Sequence, residues 1–211
     1  MAELGQIEKP KTESFTGKRK LYCVPNIYPL YDPPDDFKEL FNRYWDEVDQ
    51  QIEKVENAGK VKKIFCEMVY HQGEEALEIL GRFNERVQQI VKKKVEEGGT
   101  LLPLEDKKIF EPYIDWGNCL RVVSTQEVFT KILEYYTEFA MKRLQHILSV
   151  IDSNLTEAEA GLLILKDEDR AKLQFPGDIE VFLVTPPSYD DIMRWFREKW
   201  KEMSEQNSKP A

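Results

Sequence analysis

Five short apolar segments alternate along the chain with longer stretches whose apolar residues recur every three or four positions. The short segments cover residues 21–24, 64–69, 100–104, 161–165 and 179–184. Continuous apolar runs of this length are typical of strands buried on both faces, and the longer period is typical of amphipathic helices. The pattern therefore predicts an α/β fold, with a mostly parallel sheet of about five strands flanked by long helices.

The predicted helices cover residues 37–55, 74–97 and 126–155, and a last one follows Pro187. A less regular stretch, 107–125, predicts short helices or a lid-like excursion. Two arrangements are open for the last strand. It is either parallel to the others or antiparallel, as an edge hairpin, because the final two strands lie closer together than a helical crossover needs.

We expect one domain over residues 21–203, with polar tails at 1–20 and 204–211. The chain has 211 residues, of which 41% are apolar and 33% charged, and this composition is typical of a globular protein. No apolar run approaches the roughly 20 residues that cross a bilayer, and the polar N-terminus does not resemble a secretion signal. Three cysteines without a metal-binding spacing favour reduced thiols in a cytoplasmic protein.

The formal net charge of −9 argues against binding to a nucleic-acid backbone or to an anionic membrane. The dinucleotide, phosphate-loop, serine-elbow and HExxH motifs are absent, and the chain has only two histidines. These features predict neither a cofactor nor a histidine- or cysteine-rich metal site.

Polar side chains follow four of the predicted strands, where the ends of parallel strands form a crevice in which ligands bind. Candidate ligand-binding residues at these ends are Asn26, Tyr28, Tyr31, Tyr70, Glu105 and Asp167, and Arg143 in the predicted helix 126–155 is a further one. The candidate catalytic residues are Glu67, the one acid inside an apolar strand, and His71 at its exit. A buried acid needs a partner or a task. We expect Glu67 to be a structural acid paired with Arg121 or Arg143, or else a base acting with His71 or a ligand of a divalent cation.

The order of elements resembles the TraB superfamily, which includes haem-uptake lipoproteins and erythromycin esterases. The resemblance covers most of residues 21–187 and includes FCEMV around Glu67, the helical segment AMKRLQHIL at 140–148, AGLLILKDED and the closing IEVFLVTPP. The family's enzymes have histidines after the first strand and after the strand before the last. In this chain those places are the loop 26–31 and the turn 167–169, and neither contains histidine. If the family site needs both histidines, the resemblance implies that this chain does not run the esterase reaction and does not bind haem through such histidines.

Two hypotheses follow, and we prefer the first. The protein is a non-catalytic α/β scaffold that binds a small ligand or a protein partner at an acidic crevice, with aromatic residues that would suit a protein interface, including that of a homodimer: Tyr28, Tyr31, Trp116 and Trp195. Alternatively, it is a hydrolase-like enzyme that uses Glu67 with His71 or a divalent cation.

Overall fold

The computed structural model describes residues 18–157 and 159–207. The strands are β1 (Arg19–Pro25), β2 (Val61–Cys66), β3 (Thr100–Pro103), β4 (Ala160–Leu165) and β5 (Ile179–Leu183). The helices are α1 (Asp35–Val55), α2 (Gly73–Phe83), α3 (Glu85–Glu96), α4 (Lys107–Cys119), α5 (Gln126–Asn154), α6 (Asp167–Arg170) and α7 (Pro187–Asn207). Each predicted strand is present, and the predicted α/β fold is confirmed.

All five strands are parallel and lie in the order β3-β2-β4-β1-β5. The antiparallel alternative for the last strand is therefore wrong. β5 does not pair with β4, its predecessor in the chain. It lies on the far side of β1, with Lys20 opposite Glu180. The connection between β4 and β5 contains α6 and the residues after it. It passes across β1 and returns to the end of the sheet at which the strands begin, because β5 is parallel to its neighbour.

The sheet is covered on both faces, and each face has its own hydrophobic core. Helices α1, α2, α3 and α7 cover one face, while the C-terminal half of α5 and the segment before β5 cover the other. β4 is buried along its whole length, which explains its uninterrupted AGLLIL sequence. Gly161 allows this packing, because a Cβ there would lie 3.0 Å from Leu21 Cδ1 and 3.2 Å from Leu155 Cδ1.

The helix predicted over 74–97 is two helices, separated at Asn84. The backbone of Asn84 is extended, and its side-chain oxygen accepts hydrogen bonds from the backbone nitrogens of Arg86 and Val87. Asparagine is a favoured residue at the N-terminus of a helix for this reason. Its amide nitrogen donates to the carbonyl oxygen of Ile27 at 2.9 Å, so the break also holds the loop after β1 in place.

The irregular stretch 107–125 contains α4, which packs along the first half of α5. Asp106 caps α4 by accepting from the backbone nitrogen of Lys108. Two aromatic pairs join the helices: Tyr113 stacks on Tyr136, and Trp116 stacks on Tyr135. α4 thus forms a helical hairpin with α5, and this hairpin extends to the strand ends that form the site.

The regular elements extend slightly past the predicted domain limits. β1 begins at Arg19, and α7 continues to Asn207, within the predicted C-terminal tail. The rest of the predicted tails, residues 1–17 and 208–211, lies outside the described part of the chain. No helix within that described part is long and apolar enough to span a membrane.

Candidate functional site

A cavity of about 250 Å³ opens at the carboxyl ends of β1, β2 and β4, beneath α4. Its polar wall consists of Tyr28, Glu67, Tyr113, Arg143, Lys166 and Asp169. Its apolar wall consists of Met68, Phe83, Phe110 and Ile114. This is the position at which ligands enter open parallel sheets, because loops from several strands converge there.

A tight turn directly after β2 places Glu67 at this cavity. The backbone nitrogen of Glu67 still donates to the carbonyl of Ile164, as in the sheet. Met68 then adopts a left-handed conformation with φ of 69°. A non-glycine residue in this region costs on the order of 1–3 kcal/mol, and such residues cluster at functional sites. The carbonyl of Val69 accepts from both Leu104 and Glu105, which brings the end of β3 against this turn.

Arg143 is the centre of a buried ion cluster. Its Nε lies 2.9 and 3.0 Å from the two carboxylate oxygens of Glu105, and its Nη2 donates to Glu105 Oε1 at 2.6 Å. Its Nη1 donates to Asp169 Oδ2 at 2.7 Å. The guanidinium also lies over the rings of Tyr113 and Phe110, with distances of 5.1 and 5.5 Å to their centres. Burial works against the charge of Arg143, but the hydrogen bonds and charge of Glu105, with Asp169, outweigh it and raise the pKa of Arg143.

Glu67 is the acid of this cluster that lies farthest from the guanidinium of Arg143. Its side chain is buried, with the residue 3% exposed, and Asn26 Nδ2 donates to its Oε1 at 2.8 Å. Its Oε2 lies 3.6 Å from Arg143 Nη2, whereas Glu105 and Asp169 both contact the guanidinium within 3.0 Å. Burial raises the pKa of Glu67, and the charges of Arg143 and Lys166 only partly offset this effect.

Tyr28 connects Glu67 with Lys166. The Tyr28 hydroxyl donates to the sulfur of Met68 at 3.1 Å, and burial followed by the nearby Glu67 charge raises the pKa of Tyr28. The ammonium of Lys166 lies 5.4 Å from the centre of the Tyr28 ring. Over residues 18–157 and 159–207, Lys166 forms no ion pair within 4 Å, so the cavity has an uncommitted cation beside an acid that is poorly neutralised.

Five predicted site residues are brought together. Asn26, Tyr28, Glu67, Glu105 and Arg143 all belong to the cluster or its hydrogen bonds. Of the two arginines expected as partners of Glu67, Arg143 is the one that approaches it. Glu105 lies behind the guanidinium with a fully buried side chain, so its position is that of a structural acid.

His71 and Tyr70 lie outside this cavity, contrary to the pairing that we expected for Glu67 and His71. Their rings contact each other at 4.3 Å, and both line a neighbouring cavity of about 420 Å³. His71 Nδ1 lies 3.1 Å from Glu75 Oε2, on the first turn of α2. The two cavities share an apolar wall that includes Phe83, so Glu67 and His71 do not converge on one pocket. The reason is that α2 begins at Gly73, only two residues after His71. The His71 side chain therefore lies beside the first turn of this helix.

Tyr31 and Asp167 are also absent from the site. Tyr31 is 100% exposed, in the loop before α1. Asp167 accepts from Arg170 Nε at 2.8 Å within α6. Asp169, two residues further along this one-turn helix, reaches Arg143 instead. Residues two positions apart on a helix do not lie on the same face, so Asp167 and Asp169 point in different directions. No signal in the sequence indicates which of the two reaches Arg143.

Sequence reasoning also missed the aromatic and amide residues that surround the cluster. Phe110 and Tyr113 come from α4, whose place over the strand ends depends on its contact with α5. Asn84 could have been found from its sequence, because an asparagine inside a long amphipathic stretch is a signal for a helix start. Its Nδ2 lies 3.5 Å from Asn26 Oδ1, which extends the hydrogen bonds of Glu67 toward α3.

Three carboxylates therefore surround a guanidinium. Within the described ranges, no group of three or more His, Cys, Asp or Glu side chains is arranged to hold a metal ion. Comparison with family models, with curated proteins and with solved structures gave no match. The fold and the site define an α/β protein with an all-parallel five-stranded sheet and a charged cavity at its strand ends.

Proposed function

We propose that this protein binds a small ligand in the strand-end cavity and does so without catalysing a reaction. The observation that carries the proposal is the position of Glu67, a buried carboxylate on the cavity wall whose Oε2 is 3.6 Å from the nearest guanidinium nitrogen. A buried carboxylate lowers the stability of the fold when no opposite charge is in direct contact with it. A ligand that supplies a hydrogen-bond donor or a positive charge would offset this cost.

A purely structural role accounts for Arg143 better than for Glu67. Glu105 and Asp169 already hold the guanidinium by direct hydrogen bonds. Glu67 adds a third acid at longer distance, next to a cation, Lys166, that has no ion-pair partner among the described residues. A buried acid whose nearest cation is beyond hydrogen-bond distance and a cation without an ion-pair partner on one wall favour a binding site over a packing arrangement.

The lack of a hydroxyl, thiol or imidazole group of Ser, Thr, Cys or His on the cavity wall favours binding over catalysis. The ten residues that line the cavity in the described part of the chain include no serine, threonine, cysteine or histidine. The enzymatic alternative is a hydrolase-like reaction in which Glu67 acts as the acid or base, and its raised pKa supports that version. Membership of the TraB superfamily remains a proposal that rests on the order of elements and on Glu67, the family site residue that carries over to this chain.

Binding can be tested by screening a fragment library with thermal denaturation, since a ligand specific for the folded form raises Tm. The variant is Glu67→Gln, and Glu75→Gln is its control, because Glu75 borders only the neighbouring cavity. We expect fragments that stabilise the native protein and the control but have no effect on Glu67→Gln. Fragments that stabilise all three proteins equally would contradict the proposal, and turnover of an ester panel that disappears in Glu67→Gln would favour the enzyme.

A homodimer is the second candidate, and exposed apolar residues on the α4–α5 hairpin support it. They are Val122, Val128, Phe129, Leu133 and Met141. The four aromatic residues expected at an interface do not form one surface: Tyr28 lines the cavity, Trp195 packs on Phe37, Trp116 stacks on Tyr135, and Tyr31 is fully exposed. We expect light scattering to give the mass of a dimer that Leu133→Glu separates, and a monomer at all concentrations would exclude it.

The proposed location of the protein is the cytoplasm, and its three free cysteines support this proposal.

A further inference from the structure

We infer that the ligand is a small zwitterion, an α-amino acid with an apolar side chain, held between Glu67 and Lys166. This inference rests on the proposed function and specifies the chemical class of its ligand. Three features of the cavity wall correspond to the three parts of such a molecule: an acid without a close cation, a cation without an acid, and exposed apolar side chains between them.

The ammonium group corresponds to Glu67. Asn26 donates to Oε1 and the Tyr28 hydroxyl also hydrogen-bonds the carboxylate, but the nearest cationic nitrogen, Arg143 Nη2, is 3.6 Å from Oε2, so no cation is in direct hydrogen-bond contact. The other two acids already accept direct hydrogen bonds from Arg143, Glu105 at 2.6 Å and Asp169 at 2.7 Å. An ammonium carries three donors and a full charge, so it would supply what Glu67 lacks.

The carboxylate corresponds to Lys166. This residue is exposed and lies over Tyr28, the same tyrosine whose hydroxyl is close to Glu67. Lys166 is also one of the charges that act on Glu67. The acid and the base thus flank one side chain, which suits a ligand whose two charged groups are attached to a single carbon.

The side chain corresponds to the apolar wall. Phe83 and Ile114 are 45% and 39% exposed, which is unusual for large apolar residues beside a buried charge cluster. A leucine or phenylalanine side chain would cover both. The volume of about 250 Å³ lies below the roughly 300–1,000 Å³ of pockets for drug-sized ligands, and this favours a small molecule.

Ligands with a single charge fit less well. A simple anion would pair with Lys166 but would also face the buried carboxylates of Glu67 and Asp169. A simple cation would pair with Glu67 but would have to lie next to the Lys166 ammonium without neutralising it. Only a molecule with both charges satisfies both side chains.

The test is calorimetric titration with L-leucine and with two analogues that each lack one charged group, 3-methylbutylamine and 4-methylpentanoate. We expect L-leucine to bind at least tenfold more tightly than either analogue. In Glu67→Gln, L-leucine should bind no more tightly than 4-methylpentanoate. In Lys166→Gln, it should bind no more tightly than 3-methylbutylamine. Lys166 is exposed, so this second variant tests the inference even if Glu67→Gln does not fold. Lys131→Gln is its matched control, because Lys131 is an exposed lysine of α5 that does not line the cavity.

The outcomes separate this inference from the proposed function. An analogue that binds as tightly as L-leucine would overturn the zwitterion and leave ligand binding intact. The same holds if no amino acid binds, L-phenylalanine included, while other fragments stabilise the protein in a Glu67-dependent way. If neither amino acids nor fragments bind, both proposals fail.

Discussion

Arg143 binds Glu105 through two nitrogens, with Nε at 2.9 and 3.0 Å from the carboxylate oxygens and Nη2 at 2.6 Å from one of them. Both side chains are buried, and they join the middle of α5 to the end of β3. Glu105 thus occupies Nη2, the guanidinium nitrogen nearest Glu67, and Glu67 stays 3.6 Å from that nitrogen. The contact between these two residues therefore positions both the helical hairpin and the acid of the cavity.

Loss of Arg143 should destabilise the protein strongly. In Arg143→Met, Glu105 would remain buried without its partner, and breaking a buried pair in this way costs about 3–5 kcal/mol. Urea denaturation would measure the free energy of unfolding. Lys131→Gln is the control, because it breaks an exposed ion pair with Glu134 that contributes at most about 1 kcal/mol. Equal losses in the two variants would contradict the structural role of Arg143.

Stability should fall as the pH rises through the interval between the ordinary and the raised pKa of Glu67. Burial raises the pKa of Glu67 in the folded protein against the opposing charges of Arg143 and Lys166, so in this interval the folded form holds a proton that the unfolded form has lost. Glu67→Gln should remove this slope and stabilise the protein at neutral pH. The gain is about 1.4 kcal/mol for each unit by which the pKa is raised.

The measurement is the free energy of unfolding across this pH range in the native protein, in Glu67→Gln and in Glu75→Gln. The control removes one exposed acid and should leave the slope in place. If Glu67→Gln also keeps the slope, then Glu67 does not hold a proton in the folded state more strongly than in the unfolded state.

Asn84 should contribute to stability through two separate contacts. Asn84→Ala removes the cap of α3, which is worth about 0.5–2 kcal/mol, and the hydrogen bond to the carbonyl of Ile27, which is worth about 1 kcal/mol. Asn84→Ser keeps a capping oxygen but lacks the amide, so we expect a smaller loss than in Asn84→Ala. Chemical denaturation of both variants measures the difference, and equal losses would mean that the cap contributes nothing.

Gly161→Ala should destabilise the core by about 1–3 kcal/mol, because the new methyl group would press on Leu21, Leu155 and Phe65 at 3.0–3.2 Å. Gly177→Ala is the matched control, since no atom lies within 4 Å of a Cβ built at that position. The thermal midpoint of each variant measures the effect. A Gly161→Ala protein as stable as the control would show that these side chains move aside freely.

Most of the local structure follows from the sequence alone. Apolar runs such as AGLLIL have one stable environment, between two covered layers, and the helical period of α1 and α5 predicts the layers themselves. The single acid in the run around Glu67 also stands out without a structure, because burial of a charge is costly at any position in a fold. The same reasoning predicts a basic partner for it, Arg121 or Arg143, but does not choose between the two.

Which side chains meet depends on how the layers pack, and the sequence does not show it. β5 is parallel because it pairs with β1, a strand more than 150 residues away in the chain, and no local pattern reports such a partner. Asp169 joins the cluster while Asp167 does not, and His71 lies behind Phe83, because the directions of α6 and α2 depend on their packing. Hydrophobic periodicity reflects whether a residue is buried, but convergence on a cavity depends on contacts between residues distant in sequence, and these form only when the layers assemble.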